Sequence, residues 1–148
     1  FIKEIRPTAL DELGLVRSIR ALAESYSQDG MNADFEILGE ERRLAQETET
    51  ILFRITQEAL RNVKRHAKAT EVTVNIRFSR DEVELSVTDN GAGFSVPISR
   101  SRFADSGKFG VLGMYEYAEM LSARLKIESR PGHGTSVTAS IPLRKTGA

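Results

Sequence analysis

The stretch Ile51–Ala67 reads ILFRITQEALRNVKRHA. It has no Gly or Pro and is dense in helix formers, so it predicts the core of one long helix running from about Gln46 to His66. Ile51, Ile55, Ala59 and Val63 recur every four residues as an apolar stripe, which Leu52 and Leu60 broaden. Beside the stripe, Glu58, Asn62 and Arg65 or His66 follow at intervals of three and four, so they stack along a neighbouring face. A carboxylate, an amide and a cation in one column against a core-facing stripe suit a metal–phosphate site. On this helix alone, an ordinary exposed face accounts for the column as well.

Downstream the period changes from four to two. In EVTVNIRF, Val72, Val74, Ile76 and Phe78 alternate with polar residues, and in EVELSVTD Val83, Leu85 and Val87 do the same. Two such strands joined by Ser79-Arg80-Asp81 predict an antiparallel hairpin with one buried face. After Asp89–Gly93, residues 95–110 form a loop rich in Ser, Gly and Arg, a length more often functional than idle. Val111–Ser122 resumes as a helix, with Met114, Ala118 and Leu121 on one face. Strands at Arg124–Ser129 and Thr135–Leu143 flank the tight turn RPGHG.

Upstream, Leu10–Asp29 reads as a helix stopped by Asp29-Gly30, and Asp34–Leu38 as a short strand with Phe35 and Ile37 on one face. Strand pairs clustered between helices predict an α+β fold, a two-layer sandwich with helices packed on one face of a mixed β-sheet. The other face is expected to be covered by little or nothing.

The chain has 148 residues, 40% hydrophobic and 28% charged, which fits one globular domain with a real core. Its 21 basic and 21 acidic residues cancel, so no bulk basic footprint for nucleic acid is present. No apolar run approaches the ~20 residues of a membrane span, and no signal peptide is seen. The absence of Cys removes thiol nucleophiles and thiolate metal sites and is compatible with a reducing, cytoplasmic compartment. With His only at 66 and 133, a three-His zinc site is excluded. No Ser/His/Asp or paired-carboxylate arrangement is convincing. The start at Phe1 points to a piece of something longer.

Three further places carry candidate chemistry. Asp89-Asn90-Gly91-Ala92-Gly93 puts a carboxylate at a strand end, followed by glycines that admit close backbone approach; alone it reads better as a plain turn. Gly107-Lys108-Phe109-Gly110-Val111-Leu112-Gly113-Met114 places glycines where a loop enters a helix, a location that favours phosphate, although the P-loop and dinucleotide spacings are both missing. Gly132-His133-Gly134-Thr135 is a glycine-bounded turn from which Thr135 can add one hydroxyl, with His133 as an exposed turn residue.

In order, the four places read E-x-x-x-N-x-x-R-H-A, D-x-G-x-G, G-x-x-G-x-x-G-M and G-x-G-T. This series resembles the ATP-binding catalytic domain of sensor histidine kinases, in the superfamily shared with DNA gyrase, the heat-shock chaperone and mismatch-repair ATPases. QEALRNVKRHAKAT, DNGAGF and GVLGMYEYAEML are similar to the nitrate-sensor-like subfamily, and IRPTALDELGLVRSIRALAE resembles its segment joining the phosphoacceptor helices to the catalytic domain. The resemblance covers residues 5–143.

The resemblance implies a Bergerat-type ATP-binding fold over residues 31–143, with residues 1–30 as linker and first helix and 144–148 as a tail. It implies that Asn62 ligates Mg²⁺ bridging the ATP phosphates and that Glu58 acts as general base. Arg65, where the family usually has Lys, would contact phosphate through a fork rather than a point charge. His66 and Lys108 would support the phosphates or the lid. Asp89 would accept the adenine amino group, Gly91 and Gly93 would let the loop pass the base, and residues 94–109 would form the lid. Gly110, Leu112 and Gly113 would close on the phosphates, and Thr135 would back the adenine pocket. The expected partners are ATP, a phosphoacceptor dimerisation domain of the same full-length kinase and, indirectly, a response regulator, with neither nucleic acid nor membrane. Neither His lies in a phosphoacceptor context, so the chain itself is expected to be monomeric and to lack its own phosphorylation site. An anti-sigma-factor-type Ser/Thr kinase and a regulatory nucleotide-binding pseudokinase are the alternatives on the same fold.

Overall fold

The computed structural model describes residues 7–27, 30–94 and 109–143. Helix α1 (Thr8–Glu24) leads into strand β1 (Asn32–Leu38) and helix α2 (Gln46–Asn62), which ends in a π-helical turn (Val63–Ala67). Strands β2 (Glu71–Phe78) and β3 (Glu82–Asp89) follow, then helix α3 (Phe109–Met120), β4 (Arg124–Ser129) and β5 (Thr135–Pro142).

The strands form one five-stranded sheet in the order β1-β2-β3-β5-β4. The pairs β2·β3, β3·β5 and β4·β5 are antiparallel, whereas β1 runs parallel to β2, with α2 in the crossover a parallel pair requires. The expected α+β class and mixed sheet are therefore present. β3 is central, so its C-terminal residue, Asp89, sits at the end of a strand flanked on both sides.

The alternation in β2 and β3 sends Val72, Val74, Ile76, Val83, Leu85 and Val87 into the core beneath the helices. Thr73, Asn75, Arg77, Glu84 and Ser86 lie on the opposite face, where Arg77 pairs with Glu84 at 3.3 Å. The α2 stripe is buried as its period predicts: Ile51, Leu52, Ile55, Ala59, Leu60 and Val63 all belong to the single core. Leu52 is fully enclosed. Leu52→Ala is expected to destabilise the domain by about 2–5 kcal/mol, because a cavity opens where neighbouring side chains relax only partly. Urea unfolding with an unchanged m-value checks this.

Three local expectations are corrected. Helix α1 ends at Glu24 rather than Asp29, and its chain kinks at Gly14 (φ 83°, ψ 171°), where the Arg43 guanidinium packs 3.8 Å from the position a Cβ would take. Arg43 in turn bonds Glu49 through Nε at 3.0 Å and Nη2 at 3.1 Å. The carboxylate of Glu49, 1% exposed, thus sits buried in the first turn of α2, where the helix dipole also favours it. The central helix keeps α-helical geometry only to Asn62. The wider π-helical turn that follows closes at Lys68 in the left-handed conformation (φ 52°). Strand β1 begins two residues earlier than Asp34, because pairing with β2 extends back to Asn32↔Glu71.

Candidate nucleotide pocket

The C-terminal end of β3 and the N-terminal end of β5 are brought together by register. Val72, Asp89, Thr135 and Ser129 lie in one cross-strand row over β2, β3, β5 and β4. The next inward-facing row is Val74, Val87, Val137 and Ile127. Between these rows and the helical layer lies a pocket. Val87, Val137 and Ile127 form its apolar floor, Ala59, Val63 and Met114 its helical wall, and Asp89, Asn62 and Thr135 its polar points. Gly93, Phe94 and Val111 complete the lining. A flat apolar slot with a few convergent polar groups is the usual form of a small-molecule site.

Asp89 is 7% exposed. Its Oδ1 accepts the Gly91 N–H at 2.7 Å, and the backbone N–H of Thr135 lies close enough to act on the carboxylate. Burial pushes its carboxyl above the usual carboxylate range, and the backbone N–H groups of Gly91 and then Thr135 pull it part of the way back. Between the ordinary value and the raised folded one, the native chain holds a proton that the unfolded chain has released. The contribution of Asp89 to stability is therefore full at low pH and lost as pH rises through the folded value. Asp89→Asn cannot titrate, so wild type should lose stability relative to this variant as pH rises above the ordinary carboxylate range. Urea unfolding of both at each pH measures it, and a constant difference would refute it.

Thr135 and Ser129 extend the polar edge. The Ser129 hydroxyl lies 2.8 Å from Thr135 Oγ1, donates to Gly134 O at 3.0 Å and accepts the Phe94 N–H at 2.8 Å. Ser129 thereby ties the loop after β3 to the β4–β5 turn, a role not anticipated from its local sequence. Pairing the two strands across the RPGHG turn places it opposite Thr135, and that was the available signal. The two loops also touch through backbone: Gly132 N–H donates to Ala92 O at 2.6 Å. Gly93 (φ 69°) and Gly134 (φ 75°) are required at this junction. A Cβ on Gly93 would stand 2.1 Å from Arg130 O, and one on Gly134 would stand 2.1 Å from Asp89 O.

The column on α2 divides. Asn62 lines the pocket and has no side-chain hydrogen bond among the described residues. Glu58 is partly exposed, and its Oε1 accepts Arg61 Nη1 at 2.6 Å, a partner the helical spacing allowed but the motif did not suggest. Arg65 is exposed on the π-helical turn. Gly91 is buried; Leu112 and Gly113 are half-buried on α3, and Gly110 lies in its first turn. Among the described residues, a Cβ on Gly113 would meet nothing within 4 Å. The side chain of His66, Lys108 and the rest of the expected lid at 95–108 lie outside the described residues. So do residues 1–6, Asp29 and the tail at 144–148.

A helical layer over one face of a mixed sheet, with a buried carboxylate at a central strand end opposite an amide at the end of α2, defines a Bergerat-type ATPase domain. Residues 47–145 match the family described as histidine kinase-, DNA gyrase B- and HSP90-like ATPase, and the chain belongs to that family. It is 35% identical over 143 residues to the signal transduction histidine-protein kinase/phosphatase DegS of Brevibacillus brevis, a match covering 96% of this chain and 36% of that protein. Against DegS of Bacillus subtilis (strain 168) the identity is 36% over 143 residues, covering 93% and 36%. Against the oxygen sensor histidine kinase NreB of Staphylococcus carnosus (strain TM300) it is 30% over 141 residues, covering 95% and 40%. The chain thus spans well under half the length of the curated relatives it matches. The histidine kinase domain of the Erythrobacter litoralis EL346 blue-light activated histidine kinase shares the fold, with a TM-score of 0.65, 21% identity, and coverage of 88% of this chain and 63% of that one. Among the described residues no helix is long and apolar enough to cross a membrane.

Proposed function

We propose that this chain is the ATP-binding catalytic domain of a two-component sensor histidine kinase. It binds ATP with Mg²⁺ and donates the γ-phosphoryl to a His on a separate dimerisation domain of the same full-length protein, from which a response regulator is served. The observation that carries this reading is the placement of the Asp89 carboxylate and the Asn62 amide at the polar points of one apolar slot. The slot suits a purine ring, Asp89 accepts its exocyclic amino group, and Asn62 faces the phosphates. The open space over Gly113 leaves room for those phosphates beside the first turns of α3.

The residues fit Mg²⁺ in one particular way. Among the described residues no group of three His, Cys, Asp or Glu can hold a metal ion, so they offer no cage by themselves. The Asn62 amide, which lines the slot, offers one hard oxygen, as suits an ion that takes most of its ligands from phosphate and water. When bound, the ion neutralises charge that develops on the transferring phosphoryl group.

In the transfer, an imidazole nitrogen of the acceptor His attacks the γ-phosphorus. The bond from that phosphorus to the bridging oxygen breaks, and ADP leaves. The imidazole proton passes to Glu58, whose Oε2 has no partner among the described residues while Oε1 is held by Arg61. Arg65, exposed beside Asn62, supplies positive charge to the phosphates. The protein's contribution is orientation and electrostatics rather than covalent chemistry.

The test mixes this chain with a separate His-bearing helical dimerisation domain of a related kinase and γ-labelled ATP. Acid-labile, base-stable label on the added domain is the expected result, with no stoichiometric phosphohistidine on His66 or His133 by mass spectrometry. ATP binding without any transfer would instead support the pseudokinase alternative.

A further inference from the structure

The two ends of the proposed nucleotide pocket are held by different means. Asp89, at the adenine end, is paired in the sheet with Val72 on one side and Thr135 on the other. Asn62, at the phosphate end, precedes the π-helical turn, from which only Lys68 and Ala69 lead to Thr70 and the start of β2. That connection contains Lys68 at φ 52°, a conformation unfavourable for a side chain with a Cβ. Something outside the helix must hold it.

Asn90 does so. Its Oδ1 accepts both the Thr70 N–H at 2.9 Å and the Glu71 N–H at 3.0 Å. Its Nδ2 donates to Thr70 Oγ1 at 2.8 Å, and its own N–H donates to Glu71 O at 3.2 Å. The residue is exposed and contributes nothing to the core. Its side chain therefore ties the loop that begins at the adenine end to the segment leaving the phosphate end. An amide is suited to this because it accepts two N–H bonds on one oxygen while donating from its nitrogen.

We infer that Asn90 is a positioning residue that sets the spacing between the adenine and phosphate ends of the pocket, resting on the nucleotide reading proposed above. Loss of its side chain loosens the 68–71 connection, which keeps only the backbone bonds from Asn90 N–H to Glu71 O and from Asn32 N–H to Thr70 O at 2.8 Å, and with it the turn that follows Asn62. The sheet pairing of Asp89 remains. The consequence is selective: adenine recognition survives while phosphate and metal recognition loosens.

The test compares calorimetric affinities for adenosine and for ATP with Mg²⁺ in wild type, Asn90→Ala and Thr70→Val. Wild type must bind both ligands, and failure to bind either overturns the nucleotide reading itself and this inference with it. In Asn90→Ala, ATP·Mg²⁺ affinity is expected to fall about tenfold while adenosine affinity stays within about twofold, the size of effect expected for losing exposed hydrogen bonds. In Thr70→Val, which removes only the hydroxyl partner and so tests the brace even if the first variant folds poorly, the same selective loss should reach about threefold. A proportionate fall for both ligands, or no change in either, would overturn the role given to Asn90 while leaving the pocket assignment intact.

Discussion

Asp89→Asn is expected to lower the affinity for ATP by about 100-fold or more, equivalent to about 2.7 kcal/mol or more. Oδ1 of Asp89 is already engaged by the Gly91 N–H at 2.7 Å. An asparagine keeps its single oxygen on that bond, so its amide nitrogen takes the place of the second oxygen. A donor then faces the donor of the adenine amino group, and a buried site built to accept a hydrogen bond rejects its ligand. The change is nearly isosteric, so the fold should persist. Calorimetric titration against wild type measures the loss, and an unchanged affinity would count heavily against placing adenine at Asp89.

Asn62→Ala should act at the other end of the pocket and through the metal. With Mg²⁺ present, ATP affinity is expected to fall about tenfold, and phosphoryl transfer to an added His-bearing domain by about 10²–10³-fold, as for loss of one preorganised group that stabilises developing charge. With the metal chelated, wild type and variant should bind ATP alike, because the amide then has no ion to hold. This metal dependence distinguishes a ligand role from packing. Asn62 lies on the pocket wall beside Val63, not within the buried stripe of α2, so truncation leaves the core intact. Equal loss with and without Mg²⁺ would sink the assignment.

The two substitutions probe opposite ends of a site whose parts are 27 residues apart in sequence, from Asn62 to Asp89. They meet because β2 and β3 form a hairpin that returns the chain to the end of the sheet where α2 finishes. Each end is held by a different force. At Asp89 it is sheet register, supported by the contact between glycine-bearing loops; at Asn62 it is the burial of the helix stripe and the brace from Asn90.

Much of the architecture was legible because its signals are local. The change from a four-residue to a two-residue period between Val63 and Val72 separates helix from strand without any tertiary information, and the apolar positions so identified are those in the core. The short Ser79–Asp81 connection makes β2 and β3 antiparallel neighbours. Non-local pairings were not legible. Nothing in β5 announces that it inserts between β3 and β4, yet that order sets Thr135 beside Asp89. The kink at Gly14, where Arg43 packs while bonded to Glu49, was not legible along residues 10–29, and the helix signal there overran the end at Glu24.

By itself, then, the sequence determined the two-layer α+β class, the buried face of each element and the candidate residues on α2 and in the glycine-bearing loops, because side-chain period and turn chemistry act over a few residues. Only the tertiary structure decided which of those residues share a pocket. Strand order and register placed Asp89, Thr135 and Ser129 in one row. The π-helical turn left Asn62 facing the slot while Arg65 stayed exposed. Asn90, part of an apparent turn when read along the chain, became a brace between segments 20 residues apart through hydrogen bonds that exist only once the sheet has formed.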